Sequence, residues 1–154
     1  MQLSKLTAVF LPVIFLLSCT DPEEFEKENT YVGTITMTGA QETPPVTTAA
    51  TGTIEATYSK LSKTLSYKVT FSGLSGNATM AHIHGPGEVG IKADVLQTFT
   101  FPAKTSGTYS GTLFMDGIKI KEEELLAGRY YINIHTAANG NGEIRGQLIL
   151  AKKQ

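Results

Sequence analysis

The chain has one cysteine, no tryptophan, three histidines and no excess of either charge among its 154 residues. The single cysteine, Cys19, excludes an intramolecular disulfide framework and a thiolate-rich metal centre in the folded part. Thirteen basic against 14 acidic residues supply no concentrated basic surface for tracking phosphates, so nucleic acid is set aside as a partner. A Gly-x-Ser-x-Gly elbow is missing, as is a glycine-rich phosphate loop opening a helix, which removes two common hydrolase and nucleotide-binding signatures. The apolar stretch Leu6 to Leu17 is too short to cross a bilayer comfortably as a helix. With 41% hydrophobic and 18% charged residues, the composition is that of one ordinary folded domain.

What is there begins with an address. Lys5 precedes the apolar stretch, and Phe15-Leu16-Leu17-Ser18-Cys19 resembles a bacterial lipobox, in which the cysteine is lipidated and the preceding peptide removed. Residues 1–18 are therefore expected to be a lipoprotein signal peptide, with Cys19 the lipid-bearing first residue of the mature chain. That cut leaves 136 residues with 12 basic and 14 acidic side chains, net −2. Residues 19–29 are rich in acid, lack apolar periodicity and read as a solvated tether. The same stretch resembles the acidic export signals of some Gram-negative surface lipoproteins. The expected location is extracytoplasmic, lipid-anchored at the outer membrane, with cell-surface and periplasmic display both open.

From Tyr31 onward the sequence alternates with a period of two, and Thr, Tyr, Val, Ile and Phe fill short runs between glycines. The clearest strand is Thr64 to Ser72, where Leu65, Tyr67, Val69 and Phe71 share a face. Rougher runs at 32–38, 52–59, 79–84, 95–101, 108–115, 129–136 and 143–150 bring the count to about eight. The expected fold is all-β, an antiparallel Greek-key-like sandwich or small barrel occupying residues 30–152. One short helix is expected at 121–127, with acids at its start and Gly128 as its cap.

Two of the three histidines form His82-Ile83-His84, and residues two apart in a strand share a face. In Tyr131-Ile132-Asn133-Ile134-His135-Thr136 the isoleucines alternate with Tyr131, Asn133 and His135. With the isoleucines inward, all three histidines lie on outward faces, and they meet if the two strands are neighbours. Converging neutral imidazoles suit copper or zinc with an open position for water. Alternatively, each histidine hydrogen-bonds a loop or a carboxylate and helps fix the Gly85-Pro86-Gly87 turn. Glu143, Arg145 and Gln147 alternate outward from Ile144 and Leu148, where Arg145 forks to a carboxylate or holds a loop; Glu143 and Arg145 read as structural or ligand-contacting side chains, the plainest alternative being a strand-surface ion pair. Glu42 sits in a loop interrupted by Pro44 and Pro45, pinning that loop or meeting a partner. Nothing singles out a pair of acids for glycoside hydrolysis.

Four stretches carry a family resemblance: Gly39-Ala40-Gln41-Glu42-Thr43-Pro44-Pro45-Val46, Ala81-His82-Ile83-His84-Gly85-Pro86, Tyr131 to Thr136, and Gly142-Glu143-Ile144-Arg145-Gly146-Gln147-Leu148. In that order they resemble the successive signatures of the chordin domain (CHRD) family over about residues 31–150. Asn139-Gly140-Asn141 departs from the proline-containing turn that the family more often has there. The resemblance implies an extracytoplasmic β module for binding or display, with an unknown protein or small-molecule ligand. Growth-factor antagonism does not carry over, because the cysteine-rich modules associated with it are missing. A fainter likeness links His82, His84 and His135, followed by Arg145, to the copper half of copper/zinc superoxide dismutases. It implies three copper ligands and an anion-guiding arginine. The bridging histidine and the zinc loop have no counterpart, which sets dismutase-like redox activity apart from simple copper or zinc binding.

Overall fold

The computed structural model describes residues 21–99 and 103–154. Cys19 and the expected signal peptide lie outside the described residues. Nine strands form one antiparallel sheet: β1 Thr30–Thr38, β2 Thr51–Ser59, β3 Thr64–Ser72, β4 Ala78–His84, β5 Val95–Phe99, β6 Gly107–Phe114, β7 Tyr131–Thr136, β8 Ile144–Gln147 and β9 Ala151–Lys152. The spatial order is β5-β4-β7-β8-β1-β2-β3-β6, with β9 on the free part of β1. The chain thus crosses from β3 to β4 and back from β5 to β6, as in Greek-key folds.

The run β1 to β3 is a meander whose registers extend over nine residue pairs at each joint. Along β3 exposed and buried positions alternate without a break, placing Leu65, Tyr67, Val69 and Phe71 in the core. The same core takes in Ile54 from the neighbouring β2 and Ile132, Ile134, Ile144 and Leu148, all fully buried. Each such side chain contributes about 1.5–3 kcal/mol relative to exposure, so no disulfide is needed to hold the sheet curled.

Side chains bridge the two ends of the sheet. Tyr67 Oη donates to Gln97 Oε1 at 2.8 Å, and Gln97 Nε2 donates across to the Thr112 carbonyl at 3.0 Å. The rings of Phe99 and Tyr109 stack at 5.0 Å between β5 and β6. The result is a nearly closed barrel.

Two local expectations are corrected. The acidic tether contains a helix, α1 Pro22–Glu28, because its terminal signals act without any apolar stripe. The Asp21 side chain accepts the Glu23 N–H at 2.8 Å, Pro22 occupies the first turn, and Lys27 pairs with Glu23 four residues earlier. The run expected at 143–150 is cut at Gln147, where the chain turns through an Ile149 N–H bond to the Gln147 carbonyl and leaves β7 for β1 as β9. The second helix, α2 Glu122–Leu126, lies within its expected range, followed by Gly128 at φ +72°. Among the described residues no helix is long and apolar enough to cross a membrane.

Candidate metal centre

Strands β4, β7 and β8 are neighbours, and their outward faces form a grid. Met80, His82 and His84 of β4 lie directly opposite His135, Asn133 and Tyr131 of β7. On the far side of β7, Arg145 and Gln147 of β8 lie opposite Asn133 and Tyr131. Outward does not mean wet here: relative exposure is 9% for His82 and His84, 6% for His135 and 1% for Arg145. The cover comes from loops 39–50, 85–94 and 137–143, which fold over the grid. That is the correction to the solvent-facing site and surface pair expected from alternation.

The three histidines meet. One nitrogen from each lies within 4.8 Å of the other two. His82 Nδ1 approaches His135 Nε2 at 3.0 Å, and Asn133 Oδ1 stands 3.0 Å from that same Nε2. Metal–nitrogen distances of about 2.0–2.1 Å place tetrahedral ligand atoms about 3.4 Å apart, so for the three rings to share one ion the widest pair would have to close by about 1.4 Å.

The outer nitrogen sets the tautomer of His84. His84 Nδ1 donates to the Ala93 carbonyl at 2.8 Å, and His135 Nδ1 lies 3.1 Å from the Gly140 carbonyl. His84 therefore turns a lone pair on Nε2 toward the cluster, whereas His135 meets an acceptor on each nitrogen, the Gly140 carbonyl and Asn133 Oδ1, and in its neutral form donates to one of them. His84 Nε2 is buried with no hydrogen-bond partner. Burial lowers all three pKa values, most for His82, which falls to about 4 with help from the nearby His135 and His84. The rings are neutral at physiological pH, the form that binds metal.

A column of planar groups walls one side. The His84 and Tyr131 rings stack at 4.8 Å, and the Arg145 guanidinium lies 3.4 Å from the Tyr131 ring centroid. Arg145 donates to the carbonyls of Ile91 and Glu88, to Gln147 Oε1 and to Thr43 Oγ1. It ties the 85–94 loop to the sheet and makes no ion pair with Glu143.

Glu143 is fully buried in another role. Its carboxylate accepts from Thr48 Oγ1, the Ser75 N–H, Ser75 Oγ and Thr136 Oγ1 at 2.6–2.8 Å. Burial alone would raise its pKa, but the Ser75, Thr136 and Thr48 donors outweigh that and hold it at about 2.

Glu42 is 5% exposed and lines the same cavity of about 280 Å³ as the three histidines. Its Oε1 has no partner, and burial raises its pKa against the pull of the Thr43 N–H, Asn133, Arg145 and Lys92. Gly142, at φ +121°, leaves room for it, since a Cβ there would overlap the Glu42 carboxyl group. Glu42 is nonetheless outside the group of side chains that can share one ion.

Sequence reasoning placed the three histidines and Arg145 but passed over Met80, Asn133, Tyr131 and Gln147 as site residues. The signal was available, because each lies two or four residues along its strand from a residue already singled out. Neither curated proteins nor solved structures offer a match to the chain. A model of the CHRD domain matches residues 33–148, from β1 to the residue after β8, and on that match the chain belongs to the CHRD domain family.

Proposed function

We propose that this chain is a lipid-anchored, extracytoplasmic CHRD-domain protein working as a non-enzymatic binding module, and that what it binds is a copper or zinc ion. The ligands are His82 Nδ1, His84 Nε2 and His135 Nε2. One observation carries the reading: a buried imidazole nitrogen, His84 Nε2, has no partner while two further imidazoles converge beside it. An orphaned buried polar atom costs about 1–3 kcal/mol, a cost that a bound cation removes. The carbonyls of Ala93 and Gly140 orient two of the rings as outer partners of metal-bound histidines do. The cavity beside the cluster gives the ion an open side for water or a small ligand.

Elemental analysis after loading with copper or zinc and removal of free metal tests this. One ion per chain is expected, lost in the triple variant His82→Ala, His84→Ala, His135→Ala. Wild-type protein that retains no metal would sink the reading. The anchor is tested separately. Cys19→Ser is expected to move the protein from the membrane fraction to the soluble fraction, and continued membrane association would defeat the lipoprotein assignment.

A further inference from the structure

One large apolar side chain is out of place on the grid. Met80 is 46% exposed, yet it stands on the face occupied otherwise by His82, His84, His135, Asn133 and Tyr131. Strand alternation puts Met80, His82 and His84 on one side of β4, and Met80 lies directly across from His135. Directly opposed residues of an antiparallel pair have Cβ atoms about 4.5–5.5 Å apart, so the thioether starts beside a proposed ligand. It also lines the same cavity as the three imidazoles. The other methionines in the described barrel, Met37 and Met115, are core residues with 0% and 2% exposure.

We propose that Met80 is the fourth, exchangeable ligand of this centre and that the centre is built for copper(I). The proposal rests on the three-histidine reading above and narrows its metal. A thioether is a soft, neutral donor that favours copper(I) and adds little for zinc(II). An unbranched side chain with three rotatable bonds brings its sulfur onto the ion and swings it away without moving the strand. Every proposed ligand is neutral, so the donor set itself offsets none of the ion's charge, and the cavity around it is lined by Arg145 and Lys92 as well as by the Glu42 carboxyl group. Partial exposure places the sulfur at the mouth, the position from which an ion is received or passed on.

The experiment uses the full chain with Cys19→Ser, so that no thiol competes for copper(I), alone and combined with Met80→Leu. Copper(I) affinity is measured anaerobically against a chromogenic copper(I) chelator, zinc(II) affinity against a zinc dye, and sulfur ligation by X-ray absorption of the copper(I) form. Leucine conserves volume at a half-exposed position, and zinc binding reports that the variant is folded. Met80→Leu is expected to weaken copper(I) by at least the roughly tenfold cost of losing an outer-shell partner, with zinc affinity within about twofold. One sulfur scatterer is expected before the substitution and none after it. Equal copper(I) affinities with no sulfur scatterer would overturn the role of Met80 and leave the three-histidine site standing. Failure of the Met80-bearing chain to retain either metal would remove that site and this proposal together.

Discussion

Replacing Glu143 by glutamine is expected to lower the stability of the fold by about 3 kcal/mol at pH 7, and by about half as much at pH 3. The expectation follows from a carboxylate with no exposure that accepts four hydrogen bonds from Thr48, Ser75 and Thr136. Those donors hold its pKa at about 2 in the folded chain, against 4.5 for an unperturbed group. Between those values the unfolded chain takes up the proton first, so stability is fully present above pH 4.5 and is lost as pH falls toward 2. Glutamine has the same shape but no charge and no titration, so the variant lacks this pH-dependent contribution. Urea unfolding of both proteins at pH 7 and pH 3 checks the sign, because contributions from other titrating groups cancel in the difference. A gap that is equal at the two pH values would show that the charge of Glu143 is not what holds the Thr48 and Ser75 loops to the end of β7.

Strand β3 was legible residue by residue, since four apolar side chains alternate with five polar ones and nothing else competes for that pattern. The histidine cluster was legible for a related reason: alternation fixed the faces, and pairing of β4 with β7 brought them together. Burial of that cluster was not. Its roof is made of loops, and their positions depend on bonds between residues far apart in the chain, such as Arg145 to Ile91 and to Thr43. Those bonds leave no periodic trace. Glu42 is the sharpest case, a loop carboxyl whose burial depends on Asn133 and on a glycine at position 142. The end of β8 failed differently, because alternation continues through Leu148 while the strand changes partner.

Arg145→Lys is expected to cost about 1–3 kcal/mol, the range for leaving buried acceptors without their donor. Arg145 spreads its donors over four acceptors and lays its flat guanidinium on the Tyr131 ring. A lysine keeps the charge but concentrates three donors at one point and cannot stack. The carbonyls of Glu88 and Ile91 then lose their anchor, and with them the 85–94 loop. The consequence reaches the candidate centre through Ala93, whose N–H donates to Tyr131 Oη and whose carbonyl orients His84. Loss of that orientation is expected to weaken metal binding by about tenfold, while the His82 and His135 contact is retained. Denaturant unfolding gives the stability change, and amide hydrogen exchange is expected to quicken at residues 85–94 well before the meander β1 to β3 is affected. A stability loss below about 1 kcal/mol with unchanged exchange in that loop would mean that the loop is held by its own turns. In that case Arg145 would not be the strut that keeps the three imidazoles covered.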